Sequence, residues 1–581
     1  MLFNKVRISF NTQMVEFFKL FTVSREWHNR KIIGGDLKKI KNRVWKKISA
    51  LIFLFNTNKD FLLYKKSFRL YRKLQHKQSL AKGSLLICSG RGMNVIMAQI
   101  WCLYGFAMQL WGYKIIVLTT RSQKTFNRYF QLINAKFLYY DEMIVGVNYQ
   151  MPETISKKIK ETTSFNVYRN LFFKNAPIGQ IAMSTYSRHN GTGIVDVSDA
   201  NTQNIINTWC TLICQAYTVA ENIFKSHDIK MLFFTEVFME EYGGFYYAAL
   251  KEKLNIIRFA GTVRDNAIIL QHLNVENDRI HHSSLSKSSW EKIKKTPINK
   301  SCNDELNQNF IDRYGNKWMR SKRNHARTQI ISVNEARQQL GLTQHRKVAI
   351  VFSHILYDTL FFFGTDLFKD YSEWLVETVR AACENDAVDW FVKVHPSNIW
   401  RGEFDSLLKG KYEEERIIEK TIGSLPRHVR IIRADTCINP YVWFQLADYG
   451  ITVRGTSGLE MAAMGKAVVT AGTGRYEGNG FTMDPNTKEE YLEIIKNIQV
   501  LPPLSAFGHE LAKRYAHSIF IRKPFTMHSL TARLRDGKKE MKASDDLLQI
   551  CTPLQSPSIP EDLIRFAEWA EKPSDQDLLS D

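Results

Sequence analysis

Short apolar runs rich in β-branched residues recur along this chain at helix-sized intervals, and that rhythm restricts the fold more than any other feature. The first series reads SLLICS (Ser84–Ser89), KIIVLTT (Lys114–Thr120), KFLYY (Lys136–Tyr140), MLFFT (Met231–Thr235) and NIIRFAG (Asn255–Gly261), with helix patterns from about Val95 to Trp111 and near 202–225 and 242–253. The second reads KVAIVFSH (Lys347–His354), WFVKVHP (Trp390–Pro396), HVRIIRAD (His428–Asp435), YGITVRG (Tyr449–Gly455) and KAVVTAG (Lys466–Gly472), with helices near 370–385, near 440–447 and from about Leu459. Strands that alternate with helices pair in parallel, because a parallel connection needs a crossover long enough to hold a helix, and the resulting sheet is covered on both faces. The chain therefore reads as α/β with two nucleotide-fold halves. A stretch from about 275 to 330, rich in Asn, Ser, Lys and Arg, lowers the hydrophobic content between them and sets the domain boundary at about 330.

The 581 residues, 44% of them hydrophobic, supply two or three cores, which excludes general disorder. The net charge of +22 is unevenly spread: residues 1–80 hold 19 Lys/Arg against 4 Asp/Glu, and residues 543–581 hold 2 against 9. In the amino-terminal region two basic clusters, KKIKNRVWKK (Lys38–Lys47) and YKKSFRLYRK (Tyr64–Lys73), are mixed with aromatic and aliphatic residues. That pattern suits a helix lying on an anionic membrane surface. Nucleic acid and a solvated helix packed on the main body are its rivals. The run ISALIFLF (Ile48–Phe55) is too short to span a bilayer, and the initial residues lack the pattern of a cleavable signal. The expected location is cytoplasmic, peripheral on the inner face of the cytoplasmic membrane through residues 1–80, with no nucleic-acid partner. The eight cysteines form no C-x-x-C pair and read as free thiols of a reducing compartment.

Chemistry collects at predicted strand ends. In VKVHPSNIW (Val392–Trp400) alternate residues share a face, so Lys393 and His395 project together, and Pro396 ends the ladder. In RGTSGLE (Arg454–Glu460), Gly455, Thr456, Ser457 and Gly458 form a small polar strand-to-helix turn, where amides, hydroxyls and the helix dipole meet an anion together. Glu460 in the following turn would repel phosphate but suits a ribose diol. Lys393, His395, Arg454, Thr456 and Ser457 all fall at carboxyl ends of strands of one sheet, where an open α/β sheet receives its ligand. A nucleotide's phosphate would answer the two cations. After the first strand, the loop GRGMN offers Gly90, Arg91 and Gly92 without a full dinucleotide fingerprint, and we assign it to the acceptor side. His354 and Asp358 follow the first strand of the second half as candidates for acid–base or leaving-group work, and Glu236, after MLFFT, is the candidate base for an acceptor hydroxyl. No D-x-D motif or histidine–carboxylate cluster argues for a metal, so neither metal nor cofactor is expected.

VKVHP, followed some sixty residues later by GTSGLEMAAMGKAVVTAG and GRYEGNGFTMDP, resembles the donor domain of bacterial capsule polysaccharide biosynthesis glycosyltransferases of the GT-B fold. ARQQLGL, FSHILYDT, HHSSLSKSSW and FAEWA fit the same family, so the resemblance covers about 280 to 570. It implies two Rossmann-type domains facing a central cleft, with a basic helical amino-terminal extension. The implied divisions are 1–80 for that extension, 81–330 for an acceptor domain, 331–500 for a nucleotide-sugar donor domain and 501–581 for terminal helices and an acidic tail. It also implies that Lys393 and His395 contact the donor phosphate, that Thr456 and Ser457 cap it, and that Glu460 binds the ribose. Thr452 stands where many retaining GT-B enzymes carry a second glutamate, so their stereochemistry does not carry over. The implied activity is transfer of a sugar from a nucleotide donor to a surface polysaccharide or its lipid-linked primer. A polyol-phosphate transferase with a CDP-linked donor and a non-enzymatic basic membrane- or nucleic-acid-binding protein stay open as alternatives.

Overall fold

The computed structural model describes residues 58–69, 71, 81–88, 95–146, 149, 151–325, 327–343, 345–399, 411–534, 549–553 and 558–580. The chain divides into two units, Met1–Leu63 and Tyr64–Asp581. Of the first, residues 58–63 are described, as helix, so the cluster Lys38–Lys47 and the run Ile48–Phe55 lie outside the described residues, as do Gly90, Arg91 and Gly92. The second unit holds everything below.

Its first half is built on β1 (Gly83–Cys88), β2 (Tyr113–Thr119), β3 (Lys136–Tyr139), β4 (Ile229–Phe234), β5 (Asn255–Gly261) and β6 (Ala267–Leu273); its second on β7 (Lys347–Phe352), β8 (Val388–Lys393), β9 (Val429–Ile432), β10 (Tyr449–Thr452) and β11 (Ala467–Thr470). The strands read from the sequence are present, with ends displaced by a few residues. β6 was not anticipated: it returns antiparallel to β5 after a short turn, with Arg258 opposite Gln271. The first sheet runs β3-β2-β1-β4-β5-β6, extended by β12 (Phe525–Thr526), and the second β9-β8-β7-β10-β11. Both orders reverse direction from the first strand of their half, as in a nucleotide-binding fold. Within the halves, β1 to β5 are mutually parallel and so are β7 to β11. Every residue of β8 (VDWFVK) is buried, as expected for a strand covered on both faces.

The polar stretch between the halves contributes apolar anchors. Leu285, Trp290, Leu306, Phe310 and Tyr314 pack in one core with Val442, Phe444 and Tyr515. The loop after β7 docks the second half on the first: Phe362 and Phe363 lie 4.8 and 5.5 Å from the Phe238 ring, and Phe361 lies 5.6 Å from Phe165. The carboxyl-terminal stretch returns to the first half. β12 pairs antiparallel with β6, and Phe566 of the helix Glu561–Ala570 sits 4.6 Å from Tyr104 and under 6 Å from both Phe233 and Phe259. The second basic cluster, read as part of a membrane-surface helix, spends its aromatic side on the protein itself: Tyr64 and Phe68 are buried against Tyr129 and Phe106. Among the described residues no helix is long and apolar enough to cross a membrane.

Candidate functional site

In the second sheet the order reverses between β7 and β10, the place where an open α/β sheet offers a crevice at its strand ends. His354, just beyond β7, bridges it. Its Nε2 accepts the Arg454 N–H at 3.3 Å and lies 3.1 Å from Thr452 Oγ1, so the neutral ring carries its proton on Nδ1. Burial, reinforced by Arg454 and His395, holds its pKa well below the usual imidazole value. Thr452 Oγ1 also accepts the Gly455 N–H at 3.0 Å. The chain then turns through Gly455 into the helix Thr456–Ala463.

β8 delivers Lys393 and His395 to the same crevice. Together with Thr456, Ser457, Glu460 and His354 they line a cavity of about 240 Å³, so the donor residues read from the sequence converge, Arg454 and Gly458 apart. Lys393 is 4% exposed; its ammonium donates to the Val394 carbonyl at 3.3 Å, and burial lowers its pKa to about 8. Nδ1 of His395 accepts the Ser397 N–H at 3.2 Å, which puts the ring proton on Nε2, and burial followed by the charge of Lys393 lowers its pKa to about 4. His395 is thus a neutral hydrogen-bond donor rather than the second cation expected. Beneath it, Ser353 Oγ accepts the His395 N–H at 3.2 Å and donates to the buried Glu414 at 3.0 Å.

Arg454 differs from its neighbours. Its guanidinium bonds Asp366, Tyr371 Oη at 3.2 Å and the Thr365 carbonyl at 3.1 Å and leaves Nε without a partner, and it lines a larger neighbouring cleft rather than this cavity. Two arginines that the sequence reading passed over face the crevice instead. Arg475 donates to Thr456 Oγ1 at 2.7 Å and to the Arg454 carbonyl at 3.1 Å. Arg313, from the polar stretch, lies 3.1 Å from Glu460, whose carboxyl burial raises and Arg313 draws back down. Arg475 lies in the quoted GRYEGNG, but neither arginine carries a local motif that marks it as a ligand group. Gly458 has a packing reason: a β-carbon there would fall 2.1 Å from Tyr476 Oη, which donates to the Gly455 carbonyl at 2.7 Å.

A second cavity of about 410 Å³ shares His354, His395, Thr456, Arg313 and Arg475 with the first and adds Arg264, Arg320, His281, His282 and Asp358. Basic side chains far outnumber carboxylates along this cleft, which suits a polyanion. Asp358 stands 3.8 Å from Arg188. Glu236 lies apart from the donor cluster, in a third cavity of about 390 Å³ at the carboxyl ends of β1, β4 and β5. Solvent reaches its carboxyl, yet the cleft walls surround it, and that burial with Asp358 nearby pushes its pKa up to about 7. Gly261 and His282 line both this cavity and the larger cleft, so the two adjoin.

Two Rossmann-type halves with ligand crevices at their strand ends define a GT-B-like fold. No protein-family model matches the chain, and no curated protein is significantly similar to it. Among solved structures it is similar to the Thermosulfurimonas dismutans KpsC beta Kdo 2,4 transferase, at 15% identity over 49% of this chain and 79% of that one, with a TM-score of 0.30. The beta Kdo 2,7 transferase of the same KpsC follows at 15% identity, 58% and 92% coverage and a TM-score of 0.29. A UDP-GlcNAc 2-epimerase from Neisseria meningitidis bound to UDP-GlcNAc is similar at 10% identity, 75% and 97% coverage and a TM-score of 0.24.

Proposed function

We propose that this protein is a glycosyltransferase that takes a sugar from a nucleotide-activated donor and passes it to a capsular or other surface polysaccharide, or to its lipid-linked primer. The observation that carries the reading is the convergence of Lys393, His395 and the Gly455–Ser457 turn on one cavity at the β7/β10 reversal, with a carboxylate of raised pKa across the cleft. Donor phosphate lies against the Lys393 ammonium, the His395 Nε2–H and the start of the helix Thr456–Ala463, where opposite charge and unspent N–H groups are strongest. Glu460 accepts from the ribose. Glu236 takes the proton of the acceptor hydroxyl as its oxygen bonds to the anomeric carbon, and the bond from that carbon to the phosphate oxygen breaks. Lys393, Arg313 and Arg475 hold the charge that collects on the departing phosphate, a task that a divalent metal performs elsewhere.

The test titrates the full-length protein with UDP-, GDP-, CMP- and CDP-linked compounds, with and without a chelator, and follows thermal stability. A bound compound at a hundred times its dissociation constant adds about 2.7 kcal/mol. Lys393→Ala and His395→Ala are each expected to lower turnover of the binding donor by about ten- to a thousand-fold with the fold intact. Unchanged kinetics in both variants would sink the assignment. Transfer of polyol phosphate from a CDP-linked polyol, with release of CMP, would replace it with the polyol-phosphate reading.

A further inference from the structure

The guanidinium of Arg258, in the middle of β5, is 1% exposed and lines the cavity that holds Glu236. One nitrogen, Nη2, donates to Gln271 on β6 and to the Ile280 carbonyl at 3.0 Å. The other two, Nε and Nη1, are buried with no hydrogen-bond partner, and among the described residues no carboxylate lies within ion-pair distance of Arg258. A buried cation with unspent donors is costly, and proteins keep one where it will be matched by something else. Glu236 on the same cavity wall attracts it through space but makes no ion pair with it, and the Phe363 ring lies 6.0 Å away. Burial lowers the pKa of Arg258 only to about 10, so it is charged at neutral pH. A cavity of about 390 Å³ falls within the range of small-molecule sites, roughly 300–1,000 Å³. It adjoins the donor cleft at Gly261 and His282.

We propose that Arg258 is a specificity residue for the acceptor, holding an acidic group, carboxylate or phosphate, while Glu236 works on a hydroxyl of the same molecule. This rests on the glycosyltransferase reading for the identity of the acceptor, but the anion site stands on Arg258 itself. A neutral sugar leaves the charge unmatched. An acceptor with an acidic substituent ends with each side of the pocket answered, the carboxylate of Glu236 facing a hydroxyl and Arg258 facing the anion. A protein thereby rejects the analogue that lacks the matched group, since the buried donor is left unpaired. The acidic group has two possible sources, a sugar acid within the growing polymer or the phosphate of a lipid-linked primer.

The experiment measures binding of four probes to the full-length protein: methyl glucuronide against methyl glucoside, and glycerol 3-phosphate against glycerol. The expected result is at least tenfold tighter binding of the charged member of one pair. The glucuronide pair responds if the source is a sugar acid, and the glycerol phosphate pair if it is a phosphate. Arg258→Gln is expected to erase the preference, and Arg258→Lys, which keeps the charge, to retain most of it. Lys393→Ala, which disables the donor cavity, should leave it intact. Equal binding within both pairs in the wild type overturns the proposal without any need for a folded variant. A preference lost in Lys393→Ala and kept in Arg258→Gln overturns it as well, since the anion then sits among the donor cations. Failure of the nucleotide titration with success here would remove the donor reading and leave this site standing.

Discussion

Lys393 holds its charge by a narrow margin. Burial, only partly offset by the charge of Asp435, lowers its pKa to about 8, and among the described residues no carboxylate forms an ion pair with it, so the ammonium present at neutral pH is lost at mildly alkaline pH. The bound phosphate needs the protonated lysine. Below about pH 8 the charge is present, and above it donor affinity is expected to fall by up to tenfold per pH unit. Glu236 sets the opposite limb: as a base it must be ionised, so turnover rises with pH through about 7. The expected profile is a bell between these two values, measured as kcat/KM from pH 5.5 to 10. Lys393→Arg is expected to lose the alkaline limb while the acid limb stays, and a limb unchanged in that variant would assign it elsewhere. Lys393 and His395 were legible because strand alternation places them on one side of β8, and Pro396 marks its end. Arg313 and Arg258 were not. Each becomes informative only through a partner, or the lack of one, supplied by a distant segment: Glu460 for the first and an empty pair of nitrogens for the second.

The decisive element is the turn from β10 into the helix Thr456–Ala463, which is held from outside. Tyr476 clamps the Gly455 carbonyl and occupies the space a side chain at 458 would need, while Arg475 ties Thr456 from the same loop. Gly458→Ala is expected to destabilise the protein by about 1–3 kcal/mol and to raise the donor KM, since the displaced tyrosine releases the turn. Adding Tyr476→Phe removes the clashing hydroxyl, so the double variant should recover part of the stability but not the KM. Denaturant midpoints and donor kinetics on the two single variants and the pair decide this, and strictly additive losses would show that the two residues do not meet. The alternation of strands and helices was readable because parallel strands are uniformly apolar and short. The stretch from 275 to 330 hid its contribution: the helix Lys300–Tyr314 buries only Leu306, Asn309, Phe310 and Tyr314, too few to show in composition. β6 escaped notice because its run AIILQHL follows NIIRFAG after a turn too short for the expected crossover helix.

At the scale of the whole molecule, chain order and spatial order part company. The carboxyl-terminal region reads from the sequence as terminal helices with an acidic tail; its helix Ala506–His517 packs in the core of the second half, whereas β12 and the helix Glu561–Ala570 complete the first. Even the acidity of the tail is partly structural, as Asp577 is buried against Lys523 at 2.6 Å and accepts the Ser286 N–H at 2.7 Å. Nothing in the local sequence of β12 or of the helix Glu561–Ala570 says which body it joins, because an amphipathic helix reads alike on either. Phe566→Ala is expected to cost about 3–5 kcal/mol, since it empties a site walled by Tyr104, Phe233 and Phe259. Chemical denaturation measures this, and a loss below 1 kcal/mol would mean that the helix is not anchored there.

That return of the chain also sets a clock. A ribosome adds about 5–20 residues per second, so Phe566 emerges roughly 15 to 60 s after Phe259, the ring it must cover. Until β12 and then Phe566 are made, the earliest-made half carries an uncovered aromatic surface and a sheet edge without its last strand, while the later-made half has all five of its own strands once Thr470 has emerged. During synthesis the second half therefore has its whole sheet first, and the half begun first is the last to be finished.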